Sequence, residues 1–190
     1  MDRRRFANWS LKAGIGAAIA ALVPGLLTLR ARSRTAATRA LEAGDRLTFA
    51  LGQNAGQVIS EGSFTQNEAV LAYPEGKADN HENLVLVCKL DPAEFKPPLD
   101  LAGAAKGIVA YSAICTHLGC TVRFSEEPMD QAPFPHIHCP CHSALFDPHR
   151  GGIVMGGPAP RPLPQLPVRL SDKGEVIVAG GFSAPIGVKA

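Results

Sequence analysis

One long apolar run and a series of short ones divide the chain into two parts. The long run extends from Leu11 to Leu29 and is interrupted only by a lysine, a threonine and one Pro-Gly pair. About 20 apolar residues are enough to cross a hydrocarbon core of about 30 Å, and such a helix tolerates a proline kink. The pattern predicts one N-terminal transmembrane helix, the anchor, within residues 1–30.

The short runs lie in the rest of the chain, where Gly, Pro, Asn and Asp separate segments that favour strands. This pattern is typical of antiparallel sandwiches and barrels. The predicted strands are Gln57–Ser60, Val70–Tyr73, Leu84–Leu90, Ile108–Ala113, Val122–Phe124, Pro167–Leu170 and Glu175–Ala179. Residues 31–46 are small and polar without a persistent apolar face. The sequence therefore predicts a linker or hinge at 31–46 and an all-β head domain at 47–190.

The charge of the chain is unevenly distributed between these parts. The net charge is +2, but residues 1–46 hold nine lysines or arginines and three acids, a net +6, so that residues 47–190 carry −4. A head of this charge offers no basic face to a phosphate backbone. We therefore expect no nucleic-acid partner.

The first residues resemble an export signal. Arg3-Arg4-Arg5-Phe6 precedes the apolar run, as in the twin-arginine signal, whose pathway carries folded proteins. Asp2 departs from that pattern, because Ser or Thr usually stands there, and an ordinary anchor with flanking arginines is the alternative. The run is longer than the core of a cleaved signal peptide, and no A-x-A site closes it, which favours a retained anchor.

Four of the five cysteines lie in two short clusters, "CTHLGC" at 115–120 and "CPCH" at 139–142, and each cluster also holds a histidine. Two cysteines and two histidines can hold zinc, but zinc fingers pair Cys with Cys and His with His. Here each cluster contributes one residue of each type, which suits a binuclear iron–sulfur cluster with two sulfurs on one iron and two nitrogens on the other. If the two loops converge on the metal, the two remaining cysteines come close enough for a disulfide, which requires an oxidising compartment.

The other cysteine and histidines are given no part in a metal site. Cys88 lies at an apolar strand position, which predicts core packing. We expect His81, His136 and His149 to be loop or surface residues rather than ligands. His138 precedes the second cluster, and we expect it to be structural or solvent-facing.

The double motif resembles that of the Rieske iron–sulfur proteins, most closely the Rieske subunits of bacterial cytochrome bc complexes of the thermophile type. The resemblance implies a 2Fe-2S cluster held by Cys115 and Cys139 on one iron and by His117 and His142 on the other. It also implies a disulfide between Cys120 and Cys141. The segment "GGPAPRPLPQLPV" (156–168) resembles the proline loop that covers the cluster. The proline-loop residues implied are Gly157, Pro158, Ala159 and Pro160.

The resemblance also implies the function. The chain would be the redox subunit of a quinol–cytochrome c reductase in the cell membrane, with its head on the periplasmic or extracytoplasmic side. His117 and His142 would face quinol and act in its oxidation, and the head would swing on its linker toward a c-type cytochrome. Cytochrome b and c-type cytochrome subunits would be its partners. This chain alone is not expected to catalyse the reaction.

The residues after the second cluster bear on the reduction potential. High-potential members of the family read C-P-C-H-G-S-x-Y, where serine and tyrosine hydroxyls donate hydrogen bonds to the centre. This chain reads "CPCHSALF", with Ala144 and Phe146 at those positions, and Ser143 stands one residue too early to replace them. We expect a potential in the lower or middle part of the Rieske range, which favours menaquinol over ubiquinol.

Four alternatives compete with this interpretation. The nearest is a Rieske small subunit of another exported oxidoreductase, such as arsenite oxidase. Rieske ferredoxins of dioxygenase systems are cytosolic and usually lack the two disulfide cysteines. A zinc-binding structural module is a different class, and absorption and electron paramagnetic resonance (EPR) of the reduced protein separate it from an iron–sulfur protein. Nucleophilic cysteine catalysis is disfavoured, because the assignment leaves no free thiol beside a base.

Overall fold

Antiparallel strands make up the regular structure of the protein. The computed structural model describes residues 39–188, so the predicted anchor and the first half of the predicted linker lie outside the described residues. Within residues 39–188 the helical segments are 3-10 helices of three residues, and no helix there is long and apolar enough to cross a membrane. The predicted all-β class of the head is confirmed.

Eleven strands form three sheets within the described residues. The five-stranded sheet has the order β1-β2-β3-β4-β9, the four-stranded sheet the order β5-β6-β7-β8, and β10 pairs with β11. All neighbours are antiparallel. The strands are β1 Leu47–Phe49, β2 Glu68–Pro74, β3 Val85–Lys89, β4 Ile108–Ser112, β5 Arg123–Ser125, β6 His136–Cys139, β7 Ala144–Asp147, β8 Ile153–Gly156, β9 Gln165–Leu166, β10 Val168–Leu170 and β11 Val176–Val178. The 3-10 helices are Glu61–Ser63, His81–Asn83, Pro92–Glu94, Leu101–Gly103 and Pro148–Arg150.

The five-stranded sheet separates two apolar clusters. Successive side chains of a strand point to opposite faces. In β3, Val85 and Val87 join the cluster that contains residues of β10 and β11. Leu86 and Cys88 join the other cluster, which extends into the four-stranded sheet. Both faces of β3 are therefore buried, and the prediction that Cys88 packs in the core is confirmed.

The four-stranded sheet belongs to a subdomain that is inserted between β4 and β9. This cluster-binding subdomain spans residues 113–164 and contains both Cys/His clusters. A buried hydrogen bond ties it to the larger sheet, because the hydroxyl of Tyr111 in β4 donates to the carbonyl of Pro148 at 2.7 Å. The loops that carry the site therefore stand on a packed support.

Two histidine predictions are wrong. His136 and His149 are buried rather than at the surface, whereas His81 is exposed as expected. The Nδ1 of His136 lies 3.1 Å from the carbonyl oxygen of Phe134. The ring of His149 lies between two carboxylates, with Nδ1 3.4 Å from Asp147 and Nε2 3.2 Å from Glu94. The carbonyl of Phe134 compensates the burial of the His136 ring, whereas Nε2 of His149 is buried without a hydrogen-bond partner among residues 39–188.

Candidate metal centre

The first cluster loop, residues 115–120, is a tight turn that leaves the end of β4. An isolated bridge between Ile114 and Thr121 closes its base. Inside it, the amide of Cys115 donates to the carbonyl of Cys120 at 2.8 Å, and the amide of Gly119 donates back to the carbonyl of Cys115 at 3.0 Å. Gly119 has φ +79°, a left-handed conformation that glycine adopts without strain. These bonds fix the backbone that carries His117.

The second cluster loop, residues 139–143, connects β6 to β7. Cys139 and Ala144 form the last pair of the two strands, and the amide of Ser143 donates to the carbonyl of Cys139 at 3.0 Å. Ser143 has φ +56°, which few non-glycine residues adopt. The turn is therefore tight, and it leaves Cys141 and His142 exposed at its tip.

The four predicted ligands lie together. Cys115 and Cys139 belong to the same buried apolar cluster, and Cys139 acts electrostatically on the thiol of Cys115. The rings of His117 and His142 have centroids 4.7 Å apart and stand edge to face at 86°. The thiols are buried, whereas the imidazoles lie toward the surface. The centre therefore has a sulfur side in the core and a nitrogen side that solvent can reach.

The protonation of Cys115 is set by its burial. Burial raises the pKa of this thiol to about 11, and Cys139 beside it acts in the same direction, while the amides of His117 and Leu118 lower it. A metal that binds through this sulfur must therefore displace its proton, since thiolates rather than thiols bind metals. We conclude that metal loading is favoured as the pH rises.

The residues present fit a 2Fe-2S cluster with mixed ligands. The Nδ1 atom of His117 is buried and has no hydrogen-bond partner among residues 39–188. A buried polar atom without a partner is rare and calls for an explanation, and a metal ion would supply the missing bond. Two soft thiolates and two imidazoles are the donors that such a cluster requires.

The predicted disulfide between Cys120 and Cys141 is confirmed. Its S–S distance is 2.10 Å, and the two Cα atoms are 6.5 Å apart. The Sγ atoms of Cys120, Cys139 and Cys141 lie within 4.8 Å of one another, an arrangement that could suggest a three-cysteine metal site. Two of these sulfurs are bonded to each other and provide no thiolate, so the three do not form a three-cysteine metal site. The disulfide joins the two cluster loops directly.

The proline loop, residues 156–168, packs on the second cluster loop. Gly157 has φ +79°, and a Cβ atom placed on it would lie 2.6 Å from the Cα of Ala144 and 2.6 Å from the carbonyl oxygen of Ser143. Ala159 belongs to the apolar cluster that holds Cys115 and Cys139. The close approach of the proline loop to Ser143 and Ala144 is possible only because residue 157 has no side chain.

We expect Gly157→Ala to lower the free energy of unfolding by about 2 kcal/mol, because it adds backbone strain and a close contact. Urea unfolding measures the change. Gly181→Ala is the matched control, since a Cβ there meets nothing within 4 Å and the backbone is unstrained. Equal stability of Gly157→Ala and the unsubstituted chain would contradict the close packing of the proline loop.

The two positions predicted to affect the potential are buried beside the centre. Ala144 pairs with Cys139 across the β6–β7 ladder. Phe146 lies two residues further along the same face of β7, in the apolar cluster that contains Cys115 and Cys139. Ser143, in contrast, is exposed. Neither buried side chain has a hydroxyl group to donate.

Sequence reasoning missed the polar contacts of the proline loop. The hydroxyl of Thr116 donates to the carbonyl of Arg161 at 2.7 Å, which joins the proline loop to the first cluster loop. The guanidinium of Arg161 donates to the carbonyl of Gly187 at 2.6 Å. Thr116 and Gly187 are far apart along the chain, and their residue types carry no signal for either contact.

Comparisons with known proteins identify the family. A family model described as the Rieske 2Fe-2S domain matches residues 82–167. The cytochrome bc1 complex Rieske iron-sulfur subunit of Streptomyces lividans is 34% identical over 137 residues, which cover 68% of this chain and 75% of that protein. A putative respiratory nitrate reductase subunit Rieske of Haloferax mediterranei is 33% identical over 132 residues, 70% of this chain and 57% of that protein.

Two further similarities are more limited in extent. The cytochrome b6-f complex iron-sulfur subunit of Chlorobaculum tepidum is 42% identical over 72 residues, 38% of this chain and 35% of that protein. Among solved structures, the soluble domain of the Rieske protein II from Sulfolobus acidocaldarius is similar with a TM-score of 0.43 and 26% identity, covering 55% of this chain and 64% of that one.

Proposed function

Because the chain belongs to the Rieske family of 2Fe-2S iron–sulfur proteins, we propose that it is the electron-transfer subunit of a membrane quinol–cytochrome c reductase of the cytochrome bc type. It takes an electron from quinol, and menaquinol is the quinol proposed. It passes the electron to a c-type cytochrome and works beside a cytochrome b subunit. The observation that carries this proposal is the arrangement of the site. The exposed ring of His142 packs edge to face on the half-buried ring of His117, and the thiols of Cys115 and Cys139 are buried.

The proposed ligands are those that the sequence predicts. Cys115 and Cys139 hold one iron, and His117 and His142 hold the other. The buried Nδ1 of His117 supports this assignment, because it faces no other partner among the described residues. When bound, the cluster supplies a one-electron acceptor whose potential depends on the hydrogen bonds and charges around it.

The histidines provide the proton chemistry of the proposed reaction. With Nδ1 of His117 directed to the metal side, its Nε2 is the atom left to accept a hydrogen bond from a quinol hydroxyl. Imidazole suits this task, because its pKa is close to neutral and a charge nearby moves it across physiological pH. Thiolate ligands have no such second atom. The exposed tip formed by His117 and His142 therefore orients quinol and receives its proton.

The disulfide supports an extracytoplasmic location for the head. Disulfides persist in oxidising compartments and are rare in the cytosol. Cys120–Cys141 therefore favours a head outside the cytoplasm, which puts the arginine-rich N-terminus on the cytoplasmic side of a single-pass anchor. The twin-arginine pattern agrees with this orientation, since a head that already carries its cluster must be exported folded.

We expect the double substitution Ala144→Ser and Phe146→Tyr to raise the midpoint potential by on the order of 100–250 mV. A hydrogen bond to a charged group contributes about 1.5–3 kcal/mol, and about 1.4 kcal/mol corresponds to 59 mV for one electron. Redox titration of the purified chain measures the shift. Phe64→Tyr is the control, because Phe64 lies in the apolar cluster on the other side of the five-stranded sheet.

The same titration tests the choice of quinol. Rieske potentials span roughly −150 to +300 mV. A midpoint of the unsubstituted chain in the lower or middle part of this range supports menaquinol, whereas a midpoint near the top refutes it.

One alternative is favoured by a specific observation. The Haloferax mediterranei relative is named as a nitrate reductase subunit, so a Rieske subunit of another exported oxidoreductase, such as arsenite oxidase, is the second candidate. Purification of the tagged chain from membranes separates the two. Co-purification of cytochrome b with quinol–cytochrome c reductase activity supports the proposal, and co-purification of a molybdenum subunit without cytochrome b contradicts it.

A further inference from the structure

The C-terminal segment, residues 183–188, returns to the first cluster loop. It is anchored at its start, where the amide of Ser183 donates to the carbonyl of Gln165 and the amide of Gln165 donates to the hydroxyl of Ser183, both at 2.9 Å. Ile186 then packs against the apolar cluster that contains Cys115. Gly187 is buried with φ +64°, and a Cβ placed on it would lie 3.1 Å from a methyl group of Ile114.

Arg161 joins this segment to the site. Its Nη2 donates to the carbonyl of Gly187 at 2.6 Å, and its own carbonyl accepts the hydroxyl of Thr116 at 2.7 Å. Thr116 stands between Cys115 and His117, two of the proposed ligands. One half-buried residue of the proline loop therefore contacts both the first cluster loop and the C-terminal segment.

We propose that Arg161 is a positioning residue that clamps residues 183–188 over the first cluster loop and so fixes the orientation of His117. We call residues 183–188 the strap. Hydrogen bonds of Ser183 hold its start, and the hydrogen bond from Arg161 to Gly187 holds its far end. A guanidinium donor makes the stronger, charge-assisted kind of hydrogen bond, and its fork geometry limits the positions that the acceptor can take. The effect on His117 rests on the proposed ligand set; the clamping of the strap does not.

The substitution Arg161→Met tests the clamp, because methionine keeps an apolar stem and removes the donors. We expect protease cleavage within residues 183–188 to become about 10- to 100-fold faster, the factor that one lost hydrogen bond to a charged donor predicts. We also expect the EPR lines of the reduced full-length chain to shift. Arg161→Lys should restore part of both effects, and Arg169→Met, at an exposed arginine of β10, should change neither.

A coupling experiment distinguishes a clamp from a general structural role. If Arg161 acts through the strap, a chain that ends at Phe182 shows the same EPR shift as Arg161→Met, and combining the two changes adds nothing. Unchanged cleavage and EPR in Arg161→Met, or a fully additive double change, would overturn the proposal. Failure of the ligand set is distinguishable, because the unsubstituted chain would then lack a Rieske EPR signal while the cleavage assay still reports on the clamp.

Discussion

Cys115→Ala and Cys139→Ala are each expected to give a chain without a 2Fe-2S cluster, whereas Cys88→Ala is expected to retain it. The two thiolates are proposed to bind the same iron, and alanine has no atom that can replace a thiolate ligand. All three cysteines are free and buried in the same apolar cluster, so the three substitutions are closely matched in size and environment. Iron and acid-labile sulfide per chain, together with the EPR spectrum of the reduced protein, measure the result.

The outcome also decides between iron and zinc. A zinc site would give a colourless chain without an EPR signal, and Cys115→Ala would then release zinc instead of iron. Cluster loss in Cys88→Ala would contradict the assignment, because the substitution removes only a core side chain on β3. We expect that variant to show the smaller cost of a core cavity, about 1 kcal/mol.

Removing the disulfide by Cys120→Ala together with Cys141→Ala is expected to lower the free energy of unfolding by about 3 kcal/mol. The bridge spans a sequence separation of 21 residues, and the chain-entropy model assigns about this value to a loop of that length. It also joins the two loops that carry the proposed ligands, so we expect the cluster to be released faster in the double variant. Urea unfolding and the decay of the visible absorption measure the two effects.

Reduction of the unsubstituted chain gives an independent test of this prediction. A thiol reductant should reproduce the loss of stability and leave the double variant unchanged. Cys88→Ala should respond to the reductant like the unsubstituted chain, because its disulfide is intact. If the double variant and the unsubstituted chain unfold at the same urea concentration, the disulfide does not stabilise the head.

The strands that the sequence predicts correctly are those with a continuous apolar or alternating pattern. Leu84–Leu90 contains β3, and Ile108–Ala113 contains β4, because both strands are buried and rich in β-branched or apolar residues. Gln57–Ser60 was predicted as a strand and forms only isolated bridges from Val58 and Ser60. Ile59 of this segment is fully buried, and its amide donates to Leu47 while its carbonyl accepts from Val176, so the segment bridges two neighbouring strands instead of pairing along one.

Of the strands in the cluster-binding subdomain, the prediction at Val122–Phe124 overlaps β5, whereas β6, β7 and β8 were missed for a physical reason. β6 reads His-Ile-His-Cys, and the glycines and prolines around β7 and β8 are the residues that usually mark loops. Their pairing is supported by tertiary packing and by the disulfide, neither of which local sequence encodes. The burial of His136 and His149 escaped prediction in the same way, since their partners are a backbone carbonyl and carboxylates brought close by the fold.

The cluster loops and their disulfide could be predicted from the sequence, whereas the contacts that hold these loops in place could not. Residue type and spacing indicated both cluster loops, and the disulfide followed from their convergence, as the structure confirms. The hydrogen bond from Arg161 to Gly187 joins a side chain to a backbone carbonyl. Every residue has a backbone carbonyl, so the sequence does not indicate which one accepts. Contacts of that kind are determined by the path of the chain and become visible only in three dimensions.

The insertion of the subdomain between two paired strands makes it modular. β4 and β9 are neighbours, with Ala110 opposite Leu166 and Tyr111 opposite Gln165, so residues 113–164 leave and re-enter the larger sheet at adjacent points. An excursion of this kind can change in length or content without altering the register of the strands that flank it. The two cluster loops, the disulfide and residues 156–164 of the proline loop all lie within that single excursion. The proposed ligands thus lie in one continuous stretch of the chain, which packs on the larger sheet through a shared apolar cluster.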